Sequence, residues 1–294
     1  MNNSNSNNPL TLDALIVCYN RQLEVELAVE SCNLVGIRRV YVLDNASDFP
    51  VVLQTNASLI RSHENLGPSN GRNALARESS ADLLLFLDDD AELSANIDIP
   101  HLIREFELDS NLAIMASLAT RDDGQIARHE FPARRVQEIE RPRDVGYFVG
   151  CGFIIRTSVF KSLNGFDQTF FYAHEETDLS LRVAAVGGRI TYNPALRVTH
   201  RPSARGRNLT TRNFSRQLRN RKVLTWRNLP RPISYIHLSI WFIYYSLNTS
   251  PRNYLSLTKS LLSPITNEEK KLGRCPLPFH KIHQLQKIGY RIYW

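Results

Sequence analysis

Short apolar runs alternate with segments of helical apolar spacing along the first part of the chain. The runs are of strand length and are almost uninterrupted by polar residues, as in LIVC, VYVL and LLLFL. Strands buried on both faces have this pattern, and helices between them are typical of parallel pairing. Strands are predicted at residues 12–18, 37–43, 58–62 and 82–87, and helices at residues 22–35 and 68–78. The pattern predicts an α/β fold with a mostly parallel central sheet and helices on both faces.

The second part of the chain has weaker strand signals and ends in a helical region. The predicted elements there are helices at 100–108, 157–163 and 175–186, and strands at 113–118, 147–156, 189–193 and 196–200. They are followed by a basic amphipathic helix at 209–226 and an aromatic, apolar segment at 233–247. We therefore expect residues 1–9, which are rich in Asn and Ser, to be a disordered lead-in. Residues 10–207 are expected to form a compact domain with a polar loop at 122–143. Residues 208–294 are expected to form a helical carboxyl-terminal region.

Polar side chains directly follow three of the predicted strands. The three segments are Cys18-Tyr19-Asn20-Arg21, Asp44-Asn45-Ala46-Ser47 and Asp88-Asp89-Asp90. Ligands of parallel sheets bind outside the carboxyl ends of the strands, so these groups are expected to share a site. The three adjacent carboxylates offer the hard oxygen ligands that Mg²⁺ and Mn²⁺ prefer, although a solvated acidic turn would have the same sequence.

Several classes of protein are disfavoured by what the sequence lacks. No GxGxxG follows the first predicted strand and no GxxxxGK[ST] is present, which argues against a dinucleotide dehydrogenase and a P-loop ATPase. The four cysteines form no CxxC pair, and the first eight residues lack the basic-then-apolar pattern of a secretory signal. Both observations favour a reducing, cytoplasmic location.

Charge is distributed unevenly along the chain. The net charge is +7, yet residues 1–180 carry −12 and residues 181–294 carry +19. Between residues 182 and 231 there are twelve arginines, one lysine and no acid. Such a region is expected to bind anions, whether nucleotide phosphate, a lipid headgroup or nucleic acid.

Six motifs occur in an order and spacing that resemble those of the family 2 glycosyltransferases, which have the GT-A fold. They are LIVCYNR, VYVLDNAS, ENLGPSNGRN, LFLDDDAEL, GFDQTFFYAHEETDLSLR and VTH, and together they cover about residues 12–200. Within this family the sequence is most similar to the bacterial rhamnosyl- and galactofuranosyltransferase-like branch. The resemblance implies a Rossmann-like catalytic domain with a nucleotide-sugar half at residues 10–92 and an acceptor half at residues 93–207.

The resemblance implies nucleotide- and metal-binding roles at the strand ends. Asp44 matches the acid that holds the nucleotide base, although it could instead form an Asx turn before Asn45. The residues implied at the nucleotide and its diphosphate are Tyr19, Asn20, Arg21, Asn65, Gly67 and Arg72. Asp88 and Asp90 match the DxD pair, Asp88 toward ribose and metal and Asp90 on the metal. His200 matches a third ligand of the metal, which is expected to be Mn²⁺ or Mg²⁺.

The acidic pair Glu175-Glu176 matches the catalytic carboxylates of the family, which are usually Glu-Asp. The second member is the general base there, so Glu176 is the preferred base. Glu175 is the alternative, because Glu in place of Asp moves the carboxylate by one methylene. Both acids could instead cap the helix at its start, and Asp178 is expected to share that role or to bind the acceptor.

Basic residues after the last predicted strand are expected to act on the donor. Arg201, Arg205 and Arg207 follow His200 directly. We interpret them as a mobile segment that closes over the diphosphate, because guanidinium groups bind phosphate oxygens in a bidentate manner.

Together the matches imply a metal-dependent, inverting glycosyltransferase that uses a nucleoside-diphosphate sugar. UDP or dTDP is the preferred carrier, because an acid at Asp44 would accept from a pyrimidine imide N–H. The implied acceptor is a saccharide or lipid-linked saccharide of surface-polysaccharide or glycolipid assembly. The basic, aromatic region 208–294 is compatible with binding to the anionic cytoplasmic face of the inner membrane. It is equally compatible with an appendage that packs on the catalytic domain, or with a dimer contact.

Two other functions are compatible with parts of the sequence. An inactive GT-A scaffold could use the arginines to bind nucleic acid or another anion. RNA-binding modules carry an aromatic-bearing strand motif, however, and none is visible, so nucleic acid is a disfavoured partner. A sugar-nucleotide pyrophosphorylase would share the sheet and the metal but would need a glycine-rich loop where this chain has CYNR.

Overall fold

A nine-stranded sheet covered by helices forms the amino-terminal part of the protein in the computed structural model, which describes residues 9–132, 138–202 and 212–290. The strands are β1 (Leu12–Cys18), β2 (Arg39–Asp44), β3 (Ser58–Arg61), β4 (Leu83–Asp88), β5 (Ala91–Leu93), β6 (Leu112–Thr120), β7 (Arg143–Asp144), β8 (Gly152–Arg156) and β9 (Arg189–His200). The helices are α1 (Gln22–Leu34), α2 (Gly67–Glu78), α3 (Ile99–Leu108), α4 (Thr157–Ser162), α5 (Glu175–Ala185), α6 (Arg212–Asn228), α7 (Arg231–Leu247), α8 (Tyr254–Leu262) and α9 (Phe279–Lys287). The lead-in expected at the amino terminus lies outside the described residues except for its last position.

The parallel part of the sheet is built around β1. The strand order is β3-β2-β1-β4-β8-β6-β9-β5, and β7 pairs with β9. Strands β3, β2, β1 and β4 are parallel, whereas β8 is antiparallel to both β4 and β6. Because β2 and β4 lie on opposite sides of β1, the carboxyl ends of β1 and β4 flank the crevice in which such sheets bind ligands.

Two apolar layers cover the two faces of the sheet. Successive side chains of a strand point to opposite faces, so Ile16 of β1 packs in the layer that contains Val29 of α1. Its neighbour Leu15 packs in the other layer, which contains Leu75 of α2. Burial on both faces explains the continuous apolar runs, and the expected fold class is confirmed.

Strand β9 differs from the sequence-based expectation. Two short strands were expected at residues 189–193 and 196–200, whereas the structure has one strand that continues through Asn193-Pro194. Its register with β6 shifts between Ala116 and Leu118, opposite the proline, which has no N–H to donate to a ladder. The continuous strand carries His200 to the edge where β5 pairs with it.

The carboxyl-terminal helices pack against the amino-terminal α/β part of the protein. One apolar cluster contains Leu181 of α5 together with Val223 and Leu224 of α6 and Leu285 of α9. The carboxyl-terminal region is therefore a packed appendage. Membrane attachment and a dimer contact were the other two arrangements compatible with the sequence. Within the described parts of the chain, no helix has the length and apolarity needed to cross a membrane.

Several arginines of the basic region form internal ion pairs. Arg227 of α6 is 1% exposed and contacts both Asp167 and Asp178, with its NH1 2.8 Å from Asp178 Oδ1. Other such pairs include Arg182–Asp178, Arg189–Asp109, Arg189–Asp144 and Arg219–Glu269. The expectation that this whole region binds external anions was therefore too broad, because acids of the folded chain neutralise part of it.

Candidate functional site

Three candidate metal ligands meet at the carboxyl end of β4. Asp88 is the last residue of β4, Asp90 lies in the turn to β5, and Ala91 of β5 pairs with His200 of β9. One ligand atom from each of Asp88, Asp90 and His200 lies within 4.8 Å of the others. Two carboxylates suit Mn²⁺ or Mg²⁺, and a neutral imidazole is a common further ligand. The donor set therefore fits a divalent cation.

Glu130 holds the imidazole of His200. Glu130 Oε2 lies 2.8 Å from His200 Nδ1, and Asp90 Oδ1 lies 3.0 Å from Nε2. Arg121 donates to Glu130 at 2.8 Å and to the His200 carbonyl at 3.0 Å. Burial disfavours the imidazolium, but the hydrogen bonds to Asp90 and Glu130 outweigh it and raise the pKa of His200 to about 9. Sequence reasoning missed Glu130, which lies in the polar loop without a surrounding motif.

The middle carboxylate, Asp89, anchors the end of β1. It is buried, pairs with the Arg21 guanidinium and accepts from the Tyr19 N–H at 3.2 Å. Arg21 also lies 3.1 Å from Asp90 Oδ2. Burial raises the pKa of Asp89 to about 7, against the opposing effect of Arg21. Tyr19 and Arg21 thus connect the β1 end to the carboxylates of the β4 end.

Arg72 links the metal-ligand candidates to the acidic pair. It lies in α2 and is buried, and its NH2 donates to Asp88 Oδ1 at 2.7 Å and to the Gly150 carbonyl at 3.1 Å. Its NH1 lies 3.7 Å from Glu176 Oε1 and 3.9 Å from Glu175 Oε1. The sequence placed Arg72 near the diphosphate, and the structure shows it engaged with carboxylates on two sides.

Glu175 and Glu176 begin α5 directly after a left-handed residue, His174, whose φ is 71°. The Glu175 side chain is 4% exposed and the Glu176 side chain 21%. Burial raises the pKa of both carboxyls; Glu176 adds to the shift of Glu175, whose pKa reaches about 8. A Cβ on Gly150 would collide with Glu176 Oε1, so glycine allows the backbone of the preceding loop to approach the pair.

Asp178 lies in the interior, away from any space for an acceptor. It is 0% exposed, and its carboxylate is bound by Arg182, Arg227 and Asn228 at 2.7–2.8 Å. These contacts lower its pKa in spite of burial. The placement contradicts the expected role in acceptor binding, because the carboxylate is buried and is held by Arg182 of its own helix and by Arg227 and Asn228 of α6.

A cleft of about 420 Å³ opens beside the ends of β1 and β2. Its lining residues are Asn20, Arg21, Gln22, Ser47, Asp48, Phe49 and Val51. Asp44 lies beneath it, 1% exposed, and accepts from Ser47 N at 2.9 Å, from Val51 N at 3.1 Å and from Arg61. This arrangement favours the turn-forming alternative for Asp44, because its oxygens are occupied by the chain itself.

Asn65 and Gly67 shape the start of α2. Asn65 Oδ1 accepts from Gly67 N at 2.9 Å and from Asn45 Nδ2 at 3.1 Å. Gly67 has φ +72°, and a Cβ there would lie 2.7 Å from the Phe171 carbonyl. Glycine is therefore required by both backbone conformation and close contact.

The expected arginine segment is described only at its first residue. Arg201 pairs with Glu92 and Asp122, and its N–H donates to the Asp90 carbonyl at 2.9 Å. Arg205 and Arg207 lie outside the described residues. Arg201 thus links β5 and the turn before it to the segment that follows β6, and its guanidinium is paired with acids of the chain.

Comparisons with known proteins agree with this geometry. Residues 13–163 match the model of the family described as Glycosyl transferase family 2. The rhamnosyltransferase WbbL of Escherichia coli K12 is 26% identical over 198 residues, which cover 65% of this chain and 70% of WbbL. The matched family region contains the ends of β1, β2 and β4 but stops before Glu175.

Solved structures share the fold at low sequence identity. A Staphylococcus aureus TarS fragment in complex with UDP-GlcNAc aligns with a TM-score of 0.61 and 13% identity, over 86% of this chain and 80% of that one. GalNAc-T7 with UDP, GalNAc and Mn²⁺ aligns with a TM-score of 0.60 and 15% identity, over 86% of this chain and 55% of that one. These neighbours are GT-A glycosyltransferases, so the expected GT-A fold is confirmed.

Proposed function

Because this chain belongs to glycosyl transferase family 2 and is a glycosyltransferase, we propose that it moves a sugar from a nucleoside diphosphate to an acceptor hydroxyl by a metal-dependent, inverting displacement. One observation carries the proposal. Arg72 contacts Asp88, a candidate metal ligand, and also lies within 4 Å of Glu176. A phosphate-binding cation and a base would therefore act on opposite ends of the same reacting centre.

Asp88, Asp90 and His200 are the residues that would hold the cation. Their donor atoms already lie within 4.8 Å of one another, and a GT-A neighbour of known structure contains Mn²⁺. When bound, Mn²⁺ or Mg²⁺ stabilises the negative charge that develops on the leaving diphosphate. Arg21, 3.1 Å from Asp90, keeps that carboxylate oriented toward the site.

Glu176 is the proposed general base. Glu175 is the more deeply buried of the pair, and a pKa of about 8 keeps it protonated at neutral pH. Glu176 is partly exposed and retains Arg72 as a cationic partner, so it is the member of the pair that carries the negative charge. It takes the proton of the acceptor hydroxyl while that oxygen attacks the anomeric carbon opposite the diphosphate, and configuration inverts.

The cleft beside β1 and β2 is the proposed nucleotide-base site, with UDP or dTDP as the carrier. Phe49 borders it with 86% of its surface exposed and offers a face on which a base can stack. The carboxylate of Asp48 lines the same cleft and, with Asp44 occupied, is the acid available to accept from a pyrimidine imide N–H. The neighbour TarS was solved with UDP-GlcNAc, which supports a uridine carrier.

An anionic lipid surface is the proposed location of the acceptor, a saccharide or lipid-linked saccharide of surface-polysaccharide or glycolipid assembly. Helices α7 and α8 expose large apolar side chains: Tyr235, Ile236, Ile243, Tyr244, Leu247, Tyr254, Leu255 and Leu262. Residues 179–267, which include both helices, contain no acid. An apolar, aromatic face free of negative charge suits the interface of an anionic bilayer. On this proposal the protein works at the cytoplasmic face of the inner membrane.

Thermal unfolding in the presence of nucleotides tests the proposed reaction. We expect UDP or dTDP to raise Tm when Mn²⁺ or Mg²⁺ is present, whereas GDP, CMP and samples with EDTA give no shift. A ligand at about a hundred times its Kd stabilises by roughly 2.7 kcal/mol, which is readily measured. Asp90→Asn should abolish the shift, because it removes a ligand of the cation.

Glu140→Gln is the matched control, because Glu140 is an exposed acid that pairs only with Arg197 at 3.4 Å among the described residues. It should respond to nucleotide as the wild type does. Absence of a metal-dependent shift with every nucleotide would contradict the catalytic proposal and favour an inactive scaffold. A product assay by NMR then reports the anomeric configuration, and retention would contradict the single displacement.

A further inference from the structure

The carboxyl-terminal helices hold a guanidinium group whose described partners include no carboxylate. Arg221 of α6 donates to Tyr245 Oη at 3.1 Å and to His237 Nε2 at 3.1 Å, and its Cζ lies 3.4 Å from the centre of the Trp241 ring. Burial lowers the pKa of Arg221. A desolvated charge without a counter-ion is unfavourable, so this arrangement is suited to an anion from outside the chain.

Two further polar atoms beside Arg221 are buried without a hydrogen-bond partner among the described residues. They are Trp241 Nε1 and His174 Nε2. A buried indole N–H ordinarily finds an acceptor, and buried polar atoms in general are paired. His174 lies close enough to Arg221 and His237 for their charges to lower its pKa, after the larger effect of burial. Trp241 Nε1, His174 Nε2 and the guanidinium of Arg221 therefore belong to one cluster.

The cluster lies between the acidic pair and the exposed apolar face. His174 immediately precedes Glu175, and Asn220, next to Arg221, donates to the carbonyls of Tyr172 and Ala173 at 2.9 and 2.8 Å. On the other side, Trp241 packs 5.3 Å from Tyr244, a half-exposed residue of the apolar face. A ligand in the cluster would reach toward the proposed base at one end and the lipid face at the other.

We propose that Arg221, Trp241 and His174 form a binding site for the phosphate of a lipid, with the lipid chain against the exposed face of α7. Phosphate is an anion that a guanidinium binds through charge-assisted, bidentate hydrogen bonds. The apolar face favours a phosphate carried by a lipid over a free one. That the bound lipid is the acceptor rests on the proposed function. The binding of its phosphate does not depend on catalysis.

Fluorescence of Trp241 tests the site directly. The chain has three tryptophans, and Trp226→Phe with Trp294→Phe leaves Trp241 as the single emitter beside Arg221. In EDTA, which removes any contribution from a metal site, we expect phosphatidylcholine vesicles that contain phosphatidate to shift its emission, and inorganic pyrophosphate to do so more weakly. Phosphatidylcholine vesicles without phosphatidate should give a markedly smaller change.

Arg221→Met and Arg216→Met form the matched pair of variants. Arg216 is an exposed arginine of the same helix, with its Cζ 5.3 Å from the Phe171 ring centre. Arg221→Met should weaken phosphatidate binding at least tenfold, and Arg216→Met less than threefold. In the absence of phosphate, Arg221→Met should not lower Tm, because a methionine relieves a charge that lacks a counter-ion.

Three results would overturn the assignment. Equal binding by Arg221→Met and the wild type would exclude Arg221 as the phosphate ligand. A large loss of Tm in Arg221→Met without ligand would show that the guanidinium serves the fold. A response to pyrophosphate alone, or displacement of phosphatidate by UDP, would assign the site to a soluble diphosphate. The nucleotide-dependent shift lost in Asp90→Asn is measured separately, so failure of this site and failure of the catalytic proposal are distinguishable.

Discussion

At the residue scale, Glu130 is expected to act through His200. Its carboxylate at Nδ1 orients the ring with Nε2 toward Asp90, and such partners of metal-binding histidines change metal affinity 10- to 100-fold. Glu130→Gln should therefore weaken Mn²⁺ binding by about this factor, measured from the EPR signal of free Mn²⁺. Glu140→Gln, in the same loop region, should leave it unchanged. A loss as complete as that of Asp90→Asn would instead make Glu130 a direct ligand.

The two glutamates that begin α5 are expected to separate into a base and a neutral partner. Glu176→Gln should lower kcat by about 10²- to 10⁴-fold, the range for loss of a general base. Its nucleotide-dependent Tm shift should persist, because the metal ligands are untouched. Glu175→Gln should retain most of the activity, since glutamine resembles the protonated carboxyl. If Glu175→Gln is the inactive variant and Glu176→Gln is not, the roles are reversed.

Glu175 is also expected to make stability depend on pH. Its pKa rises from 4.5 to about 8 on folding, so the folded state holds a proton that the unfolded state has lost between these values. The free energy of unfolding should therefore fall as pH increases from about 4.5 to about 8. Urea unfolding at pH 5.5 and pH 8 should show a smaller decrease for Glu175→Gln than for the wild type. An identical decrease in both proteins would contradict the shift.

At the scale of elements, Arg227 joins α6 to α5 and to the loop that precedes α5. It pairs with Asp167 and Asp178 in the interior, so Arg227→Met would leave buried Asp167 without the cation that binds it and Asp178 with Arg182 alone. Breaking such a group costs roughly 3–5 kcal/mol, measured by denaturant unfolding. Arg231→Met, at an exposed position at the start of α7, should change stability by less than about 0.5 kcal/mol. Equal effects would show that the buried pairs contribute little.

The same elements show what the sequence could and could not predict. Local signals sufficed for the strands around β1 and for the acids at the end of β4, because apolar runs and their polar ends determine where a parallel sheet binds ligands. His200, by contrast, was expected at the metal only through the family resemblance. Strand β9 is continuous because its register with β6 shifts at Pro194, and this shift accommodates the proline. No local sequence pattern encodes such a shift. Asp178 was misassigned for a similar reason, since its partners Arg227 and Asn228 lie about fifty residues along the chain.

At the scale of the whole molecule, charge and apolar exposure are separated between two regions. In the amino-terminal half, Asp88 and Asp90 lie at the proposed donor site, and Asp167 and Asp178 pair with Arg227 of the second half. The helices α7 and α8 expose eight large apolar side chains and lie in a stretch without acids. If the donor arrives from solvent and the acceptor from a membrane, each of the two substrates meets a different surface of the protein.

Binding to vesicles is the corresponding prediction for the intact chain. Leu247→Ser with Leu255→Ser removes two leucines of the α7–α8 face, 80% and 82% exposed, and should weaken sedimentation with anionic phosphatidylglycerol vesicles at least tenfold. Leu23→Ser with Leu108→Ser is the matched control, because these leucines are 73% and 76% exposed on α1 and α3. Equal losses in both double variants would indicate nonspecific adsorption. Binding that high salt abolishes completely would assign attachment to the arginines alone, because insertion of apolar side chains is not screened.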